Sequence, residues 1–144
     1  MIVKSTRFGS AEVQESDVYF FEAGIPGFPE LRGVALVEAS STEHFAGLPD
    51  AAGLFYIQSI DNDDLAFICL DPFWTVENYQ VDLDDEALGI KDPQDVLVLA
   101  IITLNSDGVS ANLRAPIVLN TRTKSASQIV LQDPRWSTRH SLEN

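Results

Sequence analysis

The stretch that most constrains the fold covers residues 55–73 and reads Phe-Tyr-Ile-Gln-Ser-Ile-Asp-Asn-Asp-Asp-Leu-Ala-Phe-Ile-Cys-Leu-Asp-Pro-Phe. Two apolar runs flank a tight acidic turn. The first, 54–60, is aromatic and β-branched; the second, 65–70, is almost wholly apolar and stops at Asp71-Pro72. Strand-forming residues on either side of clustered Asp and Asn specify a β-hairpin at the centre of a sheet. The connection 61–64 has no Gly. Asn and Asp can still reverse the chain, because they tolerate left-handed backbone angles and bond to nearby main chain.

The rest of the chain has the same texture. Residues 1–8 alternate loosely up to Gly9-Ser10, which could close a first hairpin with 11–15. Strands are expected at 17–21 and 33–38. Between them, Glu22-Ala-Gly-Ile-Pro-Gly-Phe-Pro29 carries two Gly and two Pro, which excludes helix and central strand alike. Ile25 and Phe28 should fold that turn back onto the core. Ser40 and Glu43 form a capping-box pattern for a short helix to about residue 46. A strand over 79–83 and a short helix over 86–88, stopped by Gly89, are further expectations. Residues 96–104 form the strongest strand; apolar on both faces, it must lie between two layers or inside a barrel. Strands follow at 109–113, 117–120 and 128–131, with a polar turn over 121–127. About ten short strands, with one or two short helices and no βαβ alternation, predict an all-β fold. The architecture is a small antiparallel β-barrel or strongly bent β-sandwich, with a single domain over 1–134 and a polar C-terminal tail over 135–144.

A chain of 144 residues can bury a sufficient core without disulfides or a structural metal. Its one cysteine, Cys69, excludes an intramolecular disulfide and fits a reducing compartment. Met1-Ile2-Val3-Lys4 leads into a polar segment with no sustained apolar core, so no secretory leader is expected. The longest apolar run is too short to cross a membrane, and the expected location is the cytoplasm.

Charge narrows the partners. Nine Lys and Arg against 22 Asp and Glu give a net charge of −13. Residues 61–95 hold eleven acids and one base, Lys91, a net of −10, whereas 113–144 hold five bases and two acids, a net of +3. Such a body repels phosphate backbones, which disfavours direct nucleic-acid binding. It favours encounter with a basic protein, or serves solubility alone.

Candidate chemistry is sparse. Asp61, Asp63 and Asp64 lack the central Gly and distal Glu of a calcium loop and read as a solvated turn. Asp82, Asp84, Asp85 and Glu86 read as a wet face or partner patch, since paired catalytic carboxylates need burial to separate their pKa values. Cys69, beside Ile68 and Leu70, reads as core. His44 and His140 have no metal-ligand spacing, and no nucleophile elbow, phosphate loop or dinucleotide fingerprint is present. Neither a catalytic centre, a cofactor nor a metal is expected. Tyr19, Phe21, Phe55, Phe67 and Phe73 are assigned to the core. Trp74 and Trp136 either cover a barrel edge or anchor an interface. Arg114 and Arg122 are expected to pair with the acidic loops.

Several collinear segments resemble the flagellar assembly factor FliW family. They are Gly24-Ile-Pro-Gly-Phe28, Gln58-Ser-Ile-Asp-Asn-Asp-Asp-Leu-Ala-Phe67 with Asp71-Pro72, Val96-Leu-Val-Leu99, and Ala111-Asn-Leu-Arg-Ala-Pro-Ile-Val-Leu-Asn120-Thr-Arg-Thr123. The opening nine residues and Ser137-Thr-Arg-His140 fit the same pattern, so the resemblance spans nearly the whole chain. It implies a cytoplasmic, non-enzymatic, barrel-like protein with two protein partners. One is flagellin, held before export. The other is CsrA, a basic RNA-binding repressor of the flagellin message, antagonised allosterically by family members that are free of flagellin. On this reading Asp82, Asp84, Asp85 and Glu86 are candidates for the CsrA-facing surface. Ile25, Phe28, Phe73 and Trp74, in irregular segments near strand ends, are candidates to line an apolar groove for amphipathic flagellin segments. The alternatives are a small barrel holding an apolar or carboxylate ligand inside, a cryptic enzyme using the Asp cluster, and an acidic RNA mimic that blocks CsrA directly.

Overall fold

The hairpin at residues 54–70 forms as its sequence requires. Strands β5 (Leu54–Ser59) and β6 (Ala66–Leu70) pair from Leu54↔Leu70 to Gln58↔Ala66. The turn closes without Gly because none of its residues takes a positive φ, and side chains hold the reversal by bonding its amides. Ser59 Oγ accepts from the amides of Asp61 (3.2 Å) and Asn62 (3.1 Å), and Asn62 Oδ1 accepts from Asp64 N (3.0 Å). Beneath them Gln58, fully buried, donates from Nε2 toward the carbonyls of Ser59, Asn62 and Leu65 at 3.0–3.1 Å. The structure, a computed structural model, describes residues 1–39, 54–106 and 108–142, and of Trp74, Thr75 and Asn105 the main chain alone. The helix expected at 40–46 lies outside the described residues.

Seven strands close a barrel around this hairpin. Strands β3 (Val18–Phe21), β4 (Gly33–Glu38), β5, β6, β7 (Val96–Asn105), β9 (Ile117–Asn120) and β10 (Ser125–Gln128) follow one another round the wall, and β10 returns to β3. Every pair in the ring is antiparallel except β10–β3, which runs parallel. Outside the ring, β1 (Ile2–Ser5) and β2 (Gly9–Glu12) form a separate hairpin. Strand β8 (Gly108–Ala111) pairs with the second half of β7, and β11 (His140–Ser141) pairs with β8.

Side chains alternate across a strand, and this sorts the core into an inner and an outer part. The inner cluster takes Tyr19, Phe21, Val34, Ile57, Cys69, Leu99, Ile117, Leu119 and Ala126, from all seven barrel strands. The outer cluster takes the opposite faces of β5, β6 and β7: Leu54, Tyr56, Ile68, Leu70, Ala100 and Ile102. These are covered by Tyr79, Val109, Ala111, Leu113, Leu131 and Trp136. The two apolar faces of β7 therefore serve two cores, as expected of a strand between layers. A smaller cluster of Val3 and Val13 on Ala35 fixes the first hairpin to the outside of β4.

Several local expectations shift. The first turn falls at residues 6–8, and Gly9, with φ +85°, opens β2 opposite Ser5. Residues 79–83 are not a strand, because Tyr79 is consumed as an outer-core plug, its hydroxyl donating to Leu113 O at 2.6 Å. Residues 86–88 lie in a non-helical turn that spans 85–89, and the four-residue helix α1 (Pro72–Thr75) follows Asp71 instead, whose carboxylate accepts from Phe73 N. The last barrel strand starts at Ser125, three residues before the expected start at 128. Asn120 Oδ1 accepts from the amides of Arg122 and Thr123 (3.0 and 3.1 Å) and tightens the turn, while Ile129 and Leu131 run on against Pro116 and Arg114. Phe73 is not core: it is 51% exposed. The segment from Arg135 onward, expected as a polar tail, packs on the barrel. Trp136 is buried edge-on against Tyr79 (4.8 Å between centroids), and β11 adds to the sheet. Trp136 and Leu142 pack on the outer cluster, and main-chain bonds from Leu113 N to Ser137 O and from Leu142 N to Val109 O (3.0 Å each) fasten the segment.

Candidate functional site

The outer face of β7 is only half covered. Ala100 and Ile102 lie under the outer cluster, but the outward residues nearer the start of the strand, Val96 and Val98, floor an open groove of about 250 Å³. Phe73 of α1 stands on one side. Val81, Leu83 and Ile90 of the irregular segment after it, with Pro93 and Leu97, complete the apolar lining, and Asp71 and Asp85 add two carboxylates. The groove is thus the unfilled continuation of the outer core. Phe73 joins the two, its ring 5.4 Å from that of Tyr79.

The irregular segment is held to the wall by polar residues of β9, the strand paired with β7, and of the turn after it. Asn120, 2% exposed on β9, donates from Nδ2 to the carbonyls of Leu88 (3.1 Å) and Gly89 (3.2 Å). Arg122 donates from Nη2 to Gly89 O at 3.0 Å and stands 3.7 Å from Asp95. Asp84 Oδ1 caps the turn through Ala87 N, and Gly89 takes φ +66°. The acidic face is therefore a fastened loop. Asp82, Asp84, Asp85 and Glu86 are all exposed. The ion pairs among the described residues are Arg122–Asp95 and Arg135–Asp133, neither of which uses these four acids. Their negative field is left to solvent or to a partner.

Burial sets the proton chemistry nearby. Desolvation raises the Asp71 carboxyl above its ordinary range, partly opposed by the Phe73 amide. It pushes the Tyr79 hydroxyl up to about 12, and holds the fully buried Cys69 thiol well above the usual thiol range, protonated and inert.

The structure brings together residues from both candidate sets: Phe73 and Asp85 line one groove, with Asp82, Asp84 and Glu86 along the same loop. Ile25 and Phe28 are placed otherwise. Ile25 is 6% exposed in the inner core, and Phe28 stacks edge-on upon Phe67 at 5.1 Å. They belong to one tight turn, where Gly24 has φ +66° and an added Cβ would meet Phe28 O at 2.5 Å. Trp74 lies in α1, adjacent to Phe73 in the chain. Arg122 pairs with an acidic loop as expected, whereas Arg114 donates to Leu131 O at 3.5 Å. Sequence reasoning missed Val81, Leu83, Ile90, Val96 and Val98 as groove residues, and Asn120 as the loop's anchor. A signal for the first group was present: a strand apolar on both faces over 96–104 needs an outer cover at every second residue, and no single neighbouring segment is long enough to provide it.

These features define the class, the small closed β-barrels, in this chain with an open apolar groove outside the wall under a fastened loop. The chain belongs to the FliW family within it: the family model described as FliW protein matches residues 2–142. The flagellar assembly factor FliW of Treponema denticola is 35% identical across 99% of this chain and 93% of its own length. That of Syntrophus aciditrophicus is 37% identical across 99% and 87%. A crystal structure of the flagellar assembly factor FliW superposes with a TM-score of 0.82 at 31% identity, over all of this chain and 98% of that one. The chain is therefore one of the flagellar assembly factors. Among the described residues no helix is long and apolar enough to cross a membrane.

Proposed function

We propose that the protein is a non-enzymatic cytoplasmic factor with two alternative partners. It holds flagellin before export. When free of flagellin it binds the basic RNA-binding regulator CsrA and antagonises it allosterically, so that flagellin synthesis is relieved of repression. The observation that carries this reading is the fastened acidic loop, whose exposed carboxylates have no ion-pair partner among the described residues, beside an apolar groove. A basic protein is steered to the former and an amphipathic segment is accommodated by the latter. Asp82, Asp84, Asp85 and Glu86 are proposed as the CsrA-facing acids. Phe28, Phe73 and Trp74 are proposed as flagellin contacts, with Ile25 anchoring the turn that carries Phe28. Membership of a family of flagellar assembly factors supports a flagellar protein partner.

The test is a pull-down from flagellated cells with and without flagellin. Flagellin should co-purify from the first and a small basic RNA-binding protein from the second; recovery of neither refutes the proposal. Competition with RNA then separates allostery from mimicry. An allosteric antagonist raises the apparent RNA dissociation constant to a plateau, whereas a mimic raises it without limit.

A further inference from the structure

The groove has a property that its apolar lining alone does not convey: its floor is a strand edge. In an antiparallel pair the main-chain groups of successive residues point alternately toward and away from the partner. Thr121 N donates to Asp95 O at 2.7 Å, and the register continues through Leu97↔Leu119 and Leu99↔Ile117. Asp95, Leu97 and Leu99 therefore address β9, and Val96, Val98 and Ala100 address the opposite side. There β6 is the neighbour, and its last pair is Leu70↔Ala100. The residue that would meet Val98 is Pro72, which has no N–H and has already turned into α1. Among the described residues no strand pairs with Val96 or Val98 on this side. Val96 turns its own N–H to Pro93 O. Val98 is 6% exposed, and main-chain groups at so buried a residue gain most from a hydrogen-bonding partner.

We infer that this edge is a docking site for an extended segment of a basic partner. The segment adds a short strand to β7 at Val98, sets apolar side chains against Val81, Leu83 and Ile90, and lays Lys or Arg on Asp85 and its neighbours. Three observations select that occupant. The open edge asks for main-chain hydrogen bonds, which a helix cannot supply. The groove, about 250 Å³, is below the roughly 300–1,000 Å³ typical of small-molecule sites and fits one or two side chains. The charge of residues 61–95, with Lys91 the one base, selects a cationic segment. The inference rests on the CsrA-binding half of the reading above and makes the groove a site that the basic partner and the amphipathic flagellin segment occupy in turn, the basic partner by strand addition.

The experiment uses the full chain and four capped peptides: one alternating Lys with Val or Ile, one with Glu in place of Lys, one N-methylated along a single edge, and one amphipathic Lys/Leu helix. Amide exchange and NMR shifts are followed. The alternating Lys peptide should slow exchange of the Val98 amide about tenfold or more at saturation and shift the methyls of Leu83 and Ile90. Its affinity should fall as salt rises from about 50 to about 300 mM. The Glu and N-methylated peptides should leave Val98 unchanged. Phe73→Ala and Asp85→Lys, both at exposed positions, should weaken the Lys peptide several-fold with the thermal midpoint intact. An unprotected Val98 amide, equal binding of the Glu or N-methylated peptide, or occupancy of the groove by the helical peptide alone would each overturn the inference. Undiminished capture of flagellar partners by both variants would also overturn it, while leaving the family role standing. Failure of the wild-type protein to capture any such partner would instead sink the proposed function.

Discussion

Gln58 offers the sharpest test of how the fold is held together. Its Nε2 is surrounded by four carbonyl oxygens, of Ser59 and Asn62 at 3.0 Å, Leu65 at 3.1 Å and Asp63 at 3.4 Å, and its Oε1 has no partner among the described residues. Gln58→Glu keeps the shape and replaces the donor with an acceptor. Ionised, it sets a carboxylate among carbonyl oxygens at a fully buried position, which no local group compensates. The side chain escapes by taking up a proton, and the cost of that from a reference pKa of about 4.3 is about 3.7 kcal/mol near pH 7. The protonated acid restores one donor of two, so a further loss of roughly 1–2 kcal/mol remains. The sum, about 5 kcal/mol, corresponds to a fall in Tm of roughly 10–20 °C for a domain of this size. The sign follows from linkage. The folded-state pKa of the new Glu is raised, so the variant's stability is greatest below the unfolded pKa and is lost as pH rises toward the folded one. The gap to wild type should therefore widen by about 1.4 kcal/mol per pH unit between about pH 5 and pH 7. Urea denaturation of both proteins across that range measures it, and the acids common to both cancel in the difference. A gap below about 1 kcal/mol near pH 7, or one that does not change with pH, refutes the claim that the turn is organised by this donor.

Three further outcomes are expected. Tyr79→Phe strands the buried Leu113 carbonyl and should cost about 1–2 kcal/mol near neutral pH. Because folding raises the Tyr79 pKa to about 12, the wild type alone should lose the corresponding stability as pH climbs from about 10 toward 12, which alkaline unfolding of the pair would reveal. Asn120→Ala removes both ties to the 88–89 carbonyls and the clamp on the 121–124 turn; about 2–3 kcal/mol should be lost, with early proteolysis or amide exchange concentrated in the acidic loop. Charge reversal at Asp82, Asp84, Asp85 and Glu86 should lower the association rate with CsrA and flatten its dependence on salt in stopped-flow mixing; unchanged kinetics would remove these acids from that surface.

The strands were legible in the sequence wherever their own apolar content demanded burial. Residues 54–70 and 96–104 announce themselves through β-branched and aromatic runs cut by Asp, Asn and Pro, and a strand apolar on both faces already requires two layers. The acidic segment and its lack of bases were equally plain, as was the collinear pattern of the family. Tertiary structure decided the rest, because a residue's role there depends on what lies opposite it. Tyr79 looks like a strand residue and Trp136 like part of a polar tail until the outer face of β7 draws both onto itself. Ser125–Gln128 carries almost no apolar signal, yet it closes the barrel because β3 offers it a parallel edge and Asn120 makes the turn. The groove is the clearest case. It exists because β6 stops at Leu70, opposite Ala100, while β7 has two more outward valines, Val98 and Val96, beyond that pair, a mismatch between two strand lengths that only their register reveals.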